Sequence, residues 1–196
     1  MAKMFNDNVR GMLTGVCCAA VMVCGNVSGM MSDVVEIAGS ILISDREQFC
    51  AITPEEARDI KSIKFDGIEI NSSFVSSFYS AMYHCIDSLS FNNCTLIENC
   101  FFSDLFDSEY PVVDFAIVNC AISIKDASLV LSLINPHLVR IIDFSKNGFG
   151  GHEILFENEI LKKRIYGRMC LDAFILKESG FSSNFVDRIT QHNIIF

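Results

Sequence analysis

The sequence predicts an α/β fold, a short curved solenoid of parallel strands with helices on its convex side, and three observations point to it. The first is an apolar spacing that recurs four times: Ile60, Ile63, Phe65, Ile68, Ile70; then Ile86, Leu89, Phe91, Cys94, Leu96; then Val112, Phe115, Ile117, Cys120, Ile122; then Val139, Ile142, Phe144, Asn147, Phe149. Each string is apolar at positions 1, 4, 6 and 11 and has Ile, Cys or Asn at position 9, and successive strings start 26, 26 and 27 residues apart. The second is size: units this small cannot own a core, so a fixed period implies that they stack. The third is a change of period inside each unit. Positions 4 and 6 alternate with 3, 5 and 7, as in a strand with one buried face, whereas the segments between strings have helical spacing.

Taken along the chain, the elements follow from local chemistry. Residues 1–29 stand apart: Lys3 and Arg10 flank a run without charge from Met12 to Cys24. That run is short for a bilayer-spanning helix and has the shape of a signal-peptide core or anchor, with a helix capping the open end of the stack as the alternative. A copy of the string around Val34 and Ile37 is too degraded to count. Thr53-Pro54-Glu55-Glu56 is a capping box with proline at the first helical position. Asp126 to Ile134 has helical spacing, and Pro111 and Pro136 fall just before strand starts, where a helix must end. A fifth string, Leu171, Phe174, Leu176, Ser179 and Phe181, begins 32 residues after the fourth. Asn184 to His192 reads as a closing helix with Phe185, Val186 and Ile189 on one face, near Ile194, Ile195 and Phe196. Parallel strands stack at about 4.8 Å while a helix is about 10 Å across. The helical side must fan out and the strands must line a concave face.

The string Ile86-Asp87-Ser88-Leu89-Ser90-Phe91-Asn92-Asn93-Cys94-Thr95-Leu96 resembles the leucine-rich repeat core L-x-x-L-x-L-x-x-[NC]-x-L. Leu138 to Gly150 is similar to the strand-and-turn of the ribonuclease-inhibitor-like subclass, whereas the period and the cysteines at position 9 lean towards the cysteine-containing subclass. The likeness covers about residues 55 to 185. It implies a leucine-rich repeat domain over 30–196, with about five recognisable repeats and a carboxy-terminal cap. It also implies that Cys94 and Cys120 are thiols buried against the turn backbone and that the concave face binds a protein.

Composition narrows the function classes. The 196 residues suit one domain, and 51% apolar content with 17 phenylalanines and no tryptophan provides core material. A formal charge of −9 speaks against nucleic acid, which demands a basic footprint. Nine cysteines are spread without a C-x-x-C pair, so no zinc knuckle is expected; Cys50 is the better candidate for a disulfide. Three glycosylation triplets begin at Asn26, Asn71 and Asn93 and matter only in a chain exported by a eukaryote. His152-Glu153 lacks the second histidine of a zinc helix, since Phe156 stands there, and Gly148 to Gly151 lacks the lysine of a phosphate loop. His84, His137 and His192 are far apart in sequence. Lys162-Lys163-Arg164 with Arg168 reads as a solvated helix, because Glu159 stands four residues before Lys163. No catalytic set, metal or cofactor is expected.

What remains is the outward strand face. Its positions read Ser62, Lys64, Asp66; Ser88, Ser90, Asn92; Asp114, Ala116, Val118; Ile141, Asp143, Ser145; and Ala173, Ile175, Lys177, with Lys146 in the following turn position. Val118, Ile141 and Ile175 break the polar pattern, and Asp114, Asp143 and Lys146 surround them, the make-up of an interface centre with a polar rim. The alternative is apolar residues scattered singly, which surfaces tolerate. The expectation is a non-enzymatic module that binds a protein partner through these six residues, secreted or at the cell surface. The alternatives are a cytoplasmic interaction or inhibitor protein, and a membrane-tethered structural protein if residues 1–29 stay attached.

Overall fold

Period-2 alternation is realised as β3 (Ser62–Asp66), β5 (Ile86–Asn92) and β7 (Val112–Val118), each sealing its position-4 and position-6 side chains on one face. The structure is a computed structural model that describes residues 36–37, 40–82, 86–162, 169, 171–189 and 194–195. The amino-terminal segment 1–29 lies outside these residues. So do His84, Cys85, Lys163, Arg164, Arg168, Cys170, residues 190–193 of the expected closing helix, and Phe196.

Among the described residues one open eight-stranded sheet runs in the order β1 (Glu36–Ile37), β2 (Ser40–Ile43), β3, β5, β7, β8 (Ile141–Asp143), β9 (Ala173–Ile175) and β10 (Ile194–Ile195). β1 pairs with β2 antiparallel, and every other neighbouring pair is parallel. The register follows the recurrent spacing. Ile63 faces Leu89, Leu89 faces Phe115, Phe115 faces Ile142 and Ile142 faces Phe174. Short β4 (Glu69–Ile70) and β6 (Thr95–Leu96) pair parallel beyond the turns of the first two strings. The degraded region around Ile37 turns out to hold a hairpin, and its second strand extends the parallel row through Ile41 opposite Ile63.

Parallel strands need crossovers, and these are α1 (Arg46–Cys50), α2 (Pro54–Ala57), α3 (Ser72–Ala81), a 3-10 turn at Phe102–Leu105, α4 (Ile124–Leu133), and α5 (Glu153–Phe156), which continues as a π-turn at Glu157–Leu161. Thr53 forms the expected capping box with Glu56. α4 starts two residues earlier than its spacing suggests, because the Ser123 hydroxyl accepts the Asp126 N–H and sets the cap at Ser123. The crossover between β5 and β7 shortens to the 3-10 turn. Buried Asp126 anchors that turn, its carboxylate accepting the Phe102 and Ser103 N–H groups at 2.8 and 3.0 Å. After β9, α6 (Ser183–Ile189) buries Phe185 and Ile189 and leaves Val186 half-buried.

Phenylalanine fills the space between sheet and crossovers. Phe65 and Phe91 stack at 5.0 Å, and Phe74 and Phe78 of α3 close over them. Phe115, Phe144 and Phe174 carry the row onward, and Phe156, Phe181 and Phe185 close its far end.

The strand ends turn by one device. Gly67, Asn93, Asn119, Lys146 and Glu178, all at position 8, adopt left-handed φ values of 70°, 52°, 53°, 61° and 54°. Glycine and asparagine take that conformation at little cost; the lysine and glutamate are held there by their neighbours. Position 9 then satisfies the turn backbone. The Asn147 amide donates to the carbonyls of Ile117, Phe144 and Ser145, and its oxygen accepts the Cys120 N–H.

Candidate interaction face

The six residues singled out in the sequence lie on β7, β8, β9 and one adjoining turn, and the register decides which of them meet. Asp114 faces Ile141, and Asp143 faces Ala116 on one side and Ile175 on the other. Asp114, Ile141, Asp143 and Ile175 therefore form one patch with Ala116 and Ala173 between them, each half-buried on the outward face. Val118 is also half-buried but stands at the far end of β7 beside Asn92. Lys146 is exposed in the turn, and its ammonium lies 3.5 Å from the Glu178 carboxylate. Those two residues border the patch and are not in its centre.

The charged groups differ in how they are held. Asp143 accepts the Ser145 N–H at 2.8 Å, which fixes its carboxylate against β8. Ser145, expected to face outward, is buried, and its hydroxyl accepts the Lys177 N–H at 3.0 Å. Partial burial, and then the carboxylates of Asp172 and Asp87, raise the Asp114 carboxyl above the usual aspartate range. Lys64 pairs with Asp66 at 3.6 Å. Beside the turns, the Asn93 amide donates to Asp66 and the Asn119 amide donates to Asn93, each at 2.7 Å, a polar ladder along the rim.

Two contributors to this face were missed. Ile195, read as part of the cap, stands on β10 opposite Ile175 and is 43% exposed, so it extends the apolar end of the patch. Leu42, half-buried on β2, faces Lys64 at the opposite end of the same row. The apolar run at the carboxy terminus was the one signal for the first; nothing in the spacing announced the second.

Other sequence candidates resolve as follows. Cys50, Cys94, Cys100 and Cys120 are free thiols, so the disulfide suggested for Cys50 is not formed; its sulfur sits 3.5 Å from the Ser77 hydroxyl. Asn71 is buried and caps α3 by accepting the Phe74 N–H, while Asn93 is exposed within the rim ladder. Among the described residues no group of three His, Cys, Asp or Glu is placed to hold a metal ion. No helix among them is long and apolar enough to cross a membrane. Comparison with known proteins returns no match: no family profile, no curated protein and no solved structure.

Proposed function

We propose that the parallel sheet and its crossovers form a leucine-rich-repeat solenoid that acts without catalysis, as a protein-recognition module binding its partner on the strand-lined face. The observation that carries this is the patch on β7 to β10. There, half-buried Ile141 and Ile175 and exposed Ile195 lie in register with Asp114 and Asp143 on regular strands. Side chains on strands are held in place by the ladder, so the patch is preorganised and loses little entropy on binding. An apolar centre with a polar rim is the anatomy of an interface core.

The apolar run from Met12 to Cys24 with its basic flank supports export or display at the cell surface. A second reading, an intracellular interaction protein, is favoured by the free thiols among the described cysteines, which suit a reducing compartment. Amino-terminal sequencing of the mature protein separates the two: a start near Asn26 or Met30 supports export, and an intact Met1 in a soluble protein supports the second.

Photocrosslinking tests the face itself. A benzophenone side chain placed at Ser90, on the sheet face, should crosslink the protein partner in the native source, and one placed at Leu129, exposed on α4, should not. Crosslinks from Leu129 alone would move the site to the helical side.

A further inference from the structure

We propose that the occupant of this face is a cationic peptide segment of a protein partner, one lysine or arginine of which lies over Ala116 between Asp114 and Asp143 while aliphatic neighbours rest on Ile141, Ile175 and Ile195. This rests on the face assigned under Proposed function and names the chemistry of its partner.

Geometry comes first. Asp143 faces Ala116, which stands two residues along β7 from Asp114, so the two aspartates are diagonal neighbours. Such neighbours lie about 7–8 Å apart, a gap that one guanidinium or ammonium group spans. The floor beneath it is short-chained: Ala116 on β7, Ser88 and Ser90 on β5, Ala173 on β9. A long side chain can lie on that floor, and a short one cannot fill it. Its aliphatic stem would meet Ile141, as lysine and arginine stems commonly do on apolar surface.

Charge comes second. The cations near the patch are engaged or distant. Lys64 pairs with Asp66 and Lys146 with Glu178. Lys177 stands two residues beyond Ile175, towards the turn end. Arg140 opens β8, where its carbonyl accepts the Asp172 N–H. The influences on the Asp114 carboxyl are burial, Asp172 and Asp87, and all three disfavour its ionised form. A positive group brought in by a partner would relieve each of these at once, whereas a polyanion or an acidic segment would compound them. The chain as a whole carries −9 and attracts such a partner at a distance.

The test is a selection of displayed random 12-residue peptides on the full-length protein, followed by affinity measurement with synthetic copies of the enriched sequences. The expected result is enrichment of lysine or arginine beside aliphatic residues. Binding should weaken at least tenfold in Asp114→Asn with Asp143→Asn, and also when salt is raised from low to high. Circular dichroism should show both variants folded, since asparagine matches aspartate in shape. Cationic peptides that ignore the double asparagine variant but lose binding to Ile141→Ser with Ile175→Ser overturn the inference and leave the face standing. Peptides that ignore both pairs of substitutions overturn the inference and the face together. Enrichment of acidic or neutral sequences, or of none, overturns the cationic occupant.

Discussion

Cys94 and Cys120 sit in neighbouring turns as successive rungs of one ladder, the Cys94 N–H donating to the Cys120 sulfur at 3.3 Å. Each thiol in turn lies within hydrogen-bonding distance of two turn carbonyls, Phe65 and Asn92 for Cys94, Phe91 and Val118 for Cys120. One rung further on, Asn147 does the same work with an amide. The Cys94 sulfur beside it, together with burial, pushes the Cys120 thiol far above its ordinary range. Both thiols should therefore resist alkylation in the native protein at neutral pH, while exposed Cys50 reacts. Peptide mapping after iodoacetamide treatment reads this out. Asn147→Ala strips four hydrogen bonds from a buried turn and should cost about 1–3 kcal/mol, the penalty for leaving buried polar groups unpaired.

Phe115 is sealed in the sheet core, with Phe106 at 5.4 Å and Phe144 at 6.3 Å between ring centroids. Phe115→Ala should destabilise by about 3–5 kcal/mol, as for other buried phenylalanines. Urea unfolding measures it, and an unchanged midpoint would contradict the packing described.

Gly150 touches the next turn closely, its N–H donating to the Ser179 carbonyl at 3.0 Å. A Cβ at this position would overlap the Gly180 carbonyl oxygen, which is backbone and cannot swing away. Gly150→Ala should cost about 1–3 kcal/mol through overpacking. The control is Ser90→Ala on the half-buried outward face, which should leave thermal unfolding nearly unchanged.

Asp114 should weaken the fold while it is ionised. Burial, Asp172 and Asp87 raise its folded value above the unfolded one, so the native state holds its proton more tightly. Stability from this group is then highest below the unfolded value and falls as pH rises through the folded one. Asp114→Asn should accordingly raise the unfolding midpoint at pH 7, and the gain should shrink as pH drops below about 4. Unfolding curves across that range check the sign. A residue that costs stability where serine or alanine would fit is what a binding site retains.

The register was legible because one period governs it. Ile63, Leu89, Phe115, Ile142 and Phe174 recur at a fixed spacing, and the parallel rows follow from that spacing alone. Three features were less visible, each for a physical reason. β2 lacks the position-9 residue and the left-handed turn that mark the other strings, so Ser40–Ile43 carried no signature. The shortened crossover after β5 depends on Asp126, a residue 24 positions away from Phe102 that local spacing assigns simply to a helix. On the face, alternation identified the outward residues but not their fate. Ser145 is buried by its bond to Lys177, and Lys146 is drawn to Glu178. Those outcomes rest on contacts between neighbouring strings, which a repeat pattern does not encode.

The most direct measurement of the central claim is the dissociation constant of the crosslinked partner, once identified, against three forms of the full-length chain. These are the wild type, Ile141→Asp with Asp143→Lys on the sheet face, and Phe101→Ser with Leu129→Ser on the helical side, where both residues are exposed. Recognition through the strand-lined face predicts at least a tenfold loss for the first pair, about 1.4 kcal/mol, with the fold intact by circular dichroism, and less than a twofold change for the second. Loss confined to Phe101→Ser with Leu129→Ser, with the sheet-face variant binding like wild type, would contradict it.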